Sequence, residues 1–488
     1  MTSSNISTHQ LSRISELVSA VMGLHFPDDR YSDLERGIES ASIDFGFDNI
    51  EEFIKWLTTS SLTKRDIEIL ASHLTVGETY LFRDKRSFEV LEREILPGLI
   101  QSRDGGEKRL RIWSAGCSTG EEPYSIAILL NRMISDLKDW NITILATDIN
   151  PRALKNAEEG VYNEWSFRDA PPWLKEGYFK EIKKGIYEIL PDIRKMVIFE
   201  YLNLAEDVYP SLLNNTNAMD LIFCRNVLMY FSKDTAQKAV NGFYKSLTDY
   251  GWLLIGPADA MRSLSLNFVA VNFENITLYV KDTKKTRTIE DLRQATPPPY
   301  APPRIEPYQP RPIAPAPAYH KVPGVEKTEA YTEAKKMFEL GRYREATETL
   351  AGLPENCMGD PKVVSLQARA YANQGRLDDA LKCCKKAISV DTVNAANYYL
   401  LATILQEKGQ AEEAVKSLKK ALYIDHNFVL AYFVLGNIMH RQGEMKSSRK
   451  YLKNALDLLS RYRPEEVLPE SDGITAERLS EIIASMNQ

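Results

Sequence analysis

The chain has 488 residues, 44% hydrophobic and 26% charged, enough apolar material for two or three cores. Its net charge of -6 and isoelectric point near 5.8 exert no overall pull toward nucleic acid or an anionic membrane, which sets both aside as partners. The opening residues lack a signal peptide's basic and apolar regions, no run reaches ~18 apolar residues, and the five cysteines form no C-x-x-C pair. The expectation is a cytoplasmic protein with reduced thiols and no membrane insertion.

In chain order, residues 1–90 place apolar side chains at helical spacing: Leu11, Ile14, Leu17, Val18 and Val21, then Phe53, Ile54 and Leu57, then Ile67, Leu70 and Leu74. A small helical domain is predicted there. Over 91–283, β-rich runs at 110–115, 142–149, 196–202, 219–224, 252–255 and 268–280 alternate with helical stretches, which predicts an α/β domain with a mainly parallel, doubly wound sheet. The last run has no helix between its halves and predicts an antiparallel hairpin at the sheet edge.

Residues 284–325 read as a linker, since eleven of the chain's 24 prolines fall between Pro297 and Pro323. Such a segment favours extended polyproline II or disorder, reaching up to roughly 80 Å at ~3.1 Å per residue; a ligand for an SH3-type module is the other reading. Over 326–460 the sequence repeats. Gly341, Gly375, Gly409 and Gly443 are each 34 apart, with Ala334, Ala368, Ala402 and Gly436 seven before them and Ala346, Ala380, Ala414 and Ser448 five after. Ala387, Ala421 and Ala455 recur twelve after the last three glycines. Small residues at helix crossings with a glycine in the turn are the tetratricopeptide pattern, here four copies of it, with 461–488 as a capping segment.

The chemistry is expected at Gly116-Cys117-Ser118-Thr119-Gly120, a loop between an apolar strand and an amphipathic helix. It fits the G-x-S-x-G elbow of α/β-hydrolases, but such a triad needs a histidine after the serine in the sheet domain. The six histidines stand at 9, 25, 73, 320, 426 and 440, so the nucleophile reading fails. A phosphate loop fails for want of its lysine and spacing, and no G-x-G-x-x-G is present. What remains is a glycine cradle followed, at the end of the second strand, by Asp148, a carboxylate placed for ribose hydroxyls. Together these favour S-adenosylmethionine; Asp148 as the N-cap of the next helix is the competing account.

Four blocks make the chain resemble the chemotaxis receptor methyltransferases of the CheR family: 75–84 (TVGETYLFRD), 112–125 (IWSAGCSTGEEPYS), 146–154 (ATDINPRAL) and 220–231 (DLIFCRNVLMYF). The resemblance covers about residues 10–282. It implies the S-adenosylmethionine-dependent methyltransferase fold and a protein-glutamate O-methyltransferase that esterifies chemoreceptor glutamates in chemosensory signalling and adaptation. Carried over by motif, Gly77, Thr79 and Arg83, in a linker helix before the sheet domain, contact the cofactor, with Arg83 at its methionine carboxylate. Gly77 stands where the family commonly has asparagine. Gly116 belongs to the cradle, Glu121 or Glu122 meets the methionine ammonium, Asp148 the ribose, Asn203 and Leu204 the adenine region, and Asn226 and Val227 the floor. Tyr230 is the candidate for the methyl-transfer channel. A glutamate with a pKa near ~4.3 is already ionised at pH 7, so no general base is required.

In this family a small antiparallel subdomain can recognise a peptide at the receptor's C-terminus. Here residues 185–199 predict only a compact hairpin turning at Pro191-Asp192, which argues against that mode of docking. The repeats then supply partner selection for an unknown protein, with Tyr331, Phe338, Arg369, Tyr399 and Phe433 on their concave face or in packing between helices. The substrate partner is the chemoreceptor cytoplasmic domain; no metal is expected. Two other readings stand beside this one: a tetratricopeptide scaffold with a cofactor-sensing domain, and a small-molecule methyltransferase.

Overall fold

A computed structural model describes residues 6–103, 107–206, 208–256, 259, 268–274, 276–282, 329–353, 360–471 and 473–486. The expected linker at 284–325 and Cys357 lie outside the described residues. The chain divides into two compact units.

The first unit opens with four helices, α1 (Thr8–Met22), α2 (Tyr31–Asp44), α3 (Ile50–Thr59) and α4 (Lys64–Leu74). Local chemistry sets their starts: Ser7 with Gln10 and Thr63 with Asp66 form reciprocal capping boxes on α1 and α4, and the Asn49 side chain caps α3. Their apolar faces meet in one core containing Ile14, Val18, Leu34, Ile38, Phe53, Leu57 and Leu70. Two further helices, α5 (Lys85–Val90) and α6 (Leu96–Arg103), lead into the sheet.

The sheet comprises β1 (Arg109–Ala115), β2 (Asn141–Asp148), β6 (Val197–Tyr201), β7 (Met219–Cys224), β8 (Leu247–Ile255), β9 (Val269–Phe273) and β10 (Ile276–Val280), in spatial order β6-β2-β1-β7-β8-β10-β9. Strands β6, β2, β1, β7 and β8 run parallel, and β10 is antiparallel to both β8 and β9. This is the expected mostly parallel sheet with an antiparallel edge. Side chains alternate between its faces. Leu110 and Ile112 join Leu221 and Phe223 under α7 (Glu121–Met133), whereas Trp113 and Ala115 join Ile222 and Cys224 under α11 (Lys233–Ser246). Because β1 is buried at every position, it has no polar period.

After β2 and α8 (Pro151–Glu159) a second, three-stranded antiparallel sheet forms, in order β3-β5-β4: β3 (Val161–Asn163), β4 (Phe179–Lys183) and β5 (Ile186–Ile189), with α9 (Pro172–Tyr178) between the first two. This corrects the hairpin expected at Pro191-Asp192. The chain turns instead at Lys184-Gly185, where Gly185 takes φ +73°. Pro191 opens a short helix, α10 (Pro191–Arg194), for which its fixed φ and missing N–H suit the first position. A three-stranded sheet of this size removes the ground for excluding peptide docking.

The second unit contains helical pairs: α12 (Glu329–Glu339) with α13 (Tyr343–Ala351), α14 (Pro361–Asn373) with α15 (Leu377–Val390), α16 (Ala395–Glu407) with α17 (Ala411–Ile424), and α18 (Val429–Arg441) with α19 (Met445–Leu459). The 34-residue glycines occupy the turns within pairs at φ between +74° and +78°. The alanines in register with them are buried at the helix crossings, where a larger side chain would hold the helices apart. A last helix, α20 (Ala476–Met486), follows. No helix among the described residues is long and apolar enough to cross a membrane.

Candidate functional site

The order of the parallel strands reverses at β1, with β2 on one side and β7 on the other, and doubly wound sheets bind ligands at the carboxyl ends beside such a switch. A cleft lies there, its roughly 1070 Å³ including space open to solvent. Its walls come from the ends of β1, β2, β6 and β7, from the segment after α4, and from Met22–Arg30 of the helical region.

The loop after β1 is shaped by backbone conformations that most side chains resist: Gly116 has φ +82°, Ser118 +49° and Gly120 +90°. A Cβ on Gly116 would stand 2.4 Å from Val227 Cγ2, so glycine is what lets the β1 and β7 loops close on each other. Gly116→Ala should lower stability by about 2 kcal/mol, read as a fall in Tm of about 4–8 °C. An unchanged Tm would refute the close contact.

Asp148 ends β2 with both carboxylate oxygens engaged: Oδ2 accepts the Ser118 N–H at 2.8 Å and Oδ1 the Asn150 N–H at 2.9 Å. Burial pushes its carboxyl up, while these backbone donors favour the ionised form. The helix-cap account of Asp148 fails, because Asn150 caps α8. Asn150 also donates to Thr75 Oγ1 at 2.9 Å, tying the end of α4 to this corner.

The two glutamates at the start of α7 separate. Glu122 lines the cavity, accepts the Ser114 hydroxyl at 2.7 Å and lies 3.7 Å from Arg225; burial raises its carboxyl, and Arg225 opposes the rise. Glu121 is 3% exposed and turned away, accepting from Thr119 at 2.6 Å and Ser166 at 3.1 Å. Of the pair, only Glu122 can meet a bound molecule. Ser118 also faces the cavity, but its hydroxyl donates to the Gly77 carbonyl at 3.3 Å rather than to a base.

Thr79 and Arg83 line the cavity, yet not from a linker helix: the segment between α4 and α5 is irregular, with Phe82 and Asp84 at positive φ. Gly77 in that segment stands between the lining residues Val76 and Glu78, and its carbonyl accepts from Ser118 of the β1 loop. Asn203 and Leu204 line the wall after β6. The Asn203 amide donates to the Val21 carbonyl at 2.9 Å, so it also anchors α1. Asn226, at φ +58°, and Val227 line the wall after β7, and Tyr230 lines the cavity beyond them.

Three residues of the site escaped the sequence reading. Arg225, in the 220–231 block, donates to the Arg83 carbonyl at 2.8 Å and lies 3.2 Å from Asp84, joining the irregular segment to Glu122. Asp259 is fully buried and accepts from the backbone N–H groups of Asn226, Met229 and Gly256. Arg30 lies 5.1 Å from the ring centres of both Phe26 and Tyr230. A signal existed for Arg225 alone, since the other two act across long stretches of chain.

The residues present fit S-adenosylmethionine: a carboxylate at the second strand end, a glycine loop where a Cβ would strike Val227, and a second carboxylate with guanidinium groups in the same cavity. Residues 77–277 match the family model described as CheR methyltransferase, SAM binding domain; 362–394 and 403–443 match tetratricopeptide repeat models. The chemotaxis protein methyltransferase of Borreliella burgdorferi is 34% identical over 53% of this chain and 90% of its own length. Chemotaxis protein methyltransferase 2 of Vibrio cholerae is 36% identical over 45% of this chain and 74% of its own. Among solved structures, a crystal structure of MamA is 22% identical at TM-score 0.26, covering 27% of this chain and 77% of that one.

Proposed function

The chain belongs to the CheR methyltransferase family, and from that premise we propose that it esterifies glutamate side chains in the cytoplasmic domains of chemoreceptors, using S-adenosylmethionine. The observation that carries the reading is the convergence of Asp148, Glu122, Arg83 and the Gly116 loop on one cavity at the switch point of the sheet.

In this reading Arg83 holds the methionine carboxylate, where a guanidinium fork suits a planar anion, and Glu122 holds the ammonium. Asp148 takes the ribose hydroxyls, Asn203 and Leu204 border the adenine, and Val227 with Asn226 forms the floor. Bound there, the cofactor supplies a methyl group on a sulfonium sulfur. The substrate glutamate would arrive ionised, so no group of this chain need take up a proton from it. The chain's contribution is alignment, which in well-oriented systems is worth about 7 kcal/mol or more. Tyr230, braced by Arg30, borders the path by which the glutamate enters. The repeats select a protein partner, and the protein works in the cytoplasm.

Purified protein should transfer label from S-adenosylmethionine to receptor-bearing membranes as a base-labile methyl ester. Base-stable label on RNA or on a small molecule would sink the substrate assignment. Tyr230→Phe should lower kcat about tenfold and leave the cofactor Kd unchanged. An equal loss in both would place the tyrosine in cofactor binding instead.

A further inference from the structure

The first helices of the repeats carry Arg369 on α14, Tyr399 on α16 and Phe433 on α18, and the two aromatics are only 5% and 4% exposed. Arg369 pairs at 3.8 Å with Glu470, which lies beyond the last repeat helix, α19. The segment leaving the fourth repeat therefore turns back to the first helix of the second. Tyr399, in the repeat between, is buried in the same apolar cluster as Leu468 of that segment.

In the returning segment the described residues, 464–471 and 473–475, hold their own shape. Val467 and Thr475 bridge antiparallel, the Leu468 N–H donates to the Ile474 carbonyl at 2.9 Å, and the Ser471 hydroxyl donates to the carbonyls of Leu468 at 2.7 Å and Ile474 at 3.0 Å. Leu468 is 2% exposed and joins the buried cluster that contains Tyr399 and Phe433. Glu470 sits at φ +61°, a conformation that costs a non-glycine residue and persists where surrounding contacts fix it. Its contact here is Arg369.

We propose that the first-helix face of the second and third repeats is a peptide-docking groove filled in cis by 464–475, and that a protein partner displaces this segment by presenting the same chemistry. That chemistry is a buried aliphatic side chain followed two residues later by a carboxylate for Arg369, as in Leu468-Pro469-Glu470. The inference rests on the reading that the repeats bind a partner, and it adds where and what they bind. The cis occupant is tethered at high effective concentration, so it holds the groove against weak competitors. Its ion pair is partly exposed, with side-chain accessibilities of 23% and 40%, and pairs of that kind are weak enough to exchange.

The probe is a fluorescein-labelled peptide of residues 464–475, cyclised to keep its turn and titrated by anisotropy into the full chain. Wild type should bind it weakly, and Glu470→Lys, which loosens the resident segment, should bind it at least tenfold more tightly. Adding Arg369→Glu should abolish that gain, because the reversed charges pair again within the chain and the new glutamate repels the peptide's own. Equal binding to wild type and Glu470→Lys, or a gain that survives Arg369→Glu, would overturn the proposal. If a partner is retained by wild type and the peptide does not compete, partner binding stands and the groove assignment alone falls.

Discussion

Replacing Asp148 by alanine is expected to weaken S-adenosylmethionine binding by about 100-fold in calorimetry, while the protein remains folded. The carboxylate has two tasks. In the protein alone it holds the N–H groups of Ser118 and Asn150, which fixes the β1 loop against the start of α8. In the proposed site its remaining lone pairs would accept from the ribose hydroxyls. Hydrogen bonds to a charged acceptor contribute roughly 1.5–3 kcal/mol, and losing the ribose contacts together with the loop's order accounts for about 2.7 kcal/mol, the equivalent of 100-fold. Asp148→Asn keeps one carbonyl acceptor and should fall between the two. Because burial raises this carboxyl above its ordinary value of 3.8, acidification should begin to weaken cofactor binding at a pH above that value. Wild-type affinity in Asp148→Ala would remove Asp148 from the site.

What the sequence could reveal followed how locally each feature is encoded. The apolar run of β1, the glycines of its loop and the 34-residue register are properties of neighbouring residues, and periodicity exposes them. Glu122 and Glu121 are adjacent and chemically identical. Only the packing of Ser166 from a distant turn against one, and Arg225 beside the other, decides which faces the cavity. The three-stranded sheet was hidden because β3, β4 and β5 are three to five residues long and separated by a helix, while Pro191 resembles a turn residue as much as a helix start. Arg30 meets Tyr230 across 200 residues, a contact no short-range pattern carries.

Asp259 is the residue whose loss should be felt most widely, although it is absent from the cavity wall. It is fully buried, and its two oxygens accept the backbone N–H groups of Asn226, Met229 and Gly256, the last two at 2.8 and 3.2 Å. Asn226 is held at φ +58°, which an asparagine adopts at some cost, so the loop after β7 keeps its form because Asp259 gathers its donors. Asp259→Ala leaves three backbone N–H groups without that acceptor. At roughly 1–3 kcal/mol for each unsatisfied buried group, less what water entry recovers, a loss of about 3 kcal/mol follows, or a Tm lower by about 6–12 °C. Asp259→Glu keeps the charge but lengthens the arm and should recover part of it. The discriminating measurement is cofactor affinity well below the Tm. If Asp259 shapes the floor at Asn226 and Val227, Kd rises by tenfold or more in folded protein, because Val227 also packs against the Gly116 cradle. If Tm falls and Kd at low temperature is unchanged, the carboxylate supports the fold alone, and the β7 loop keeps its place by its contacts with the β1 loop.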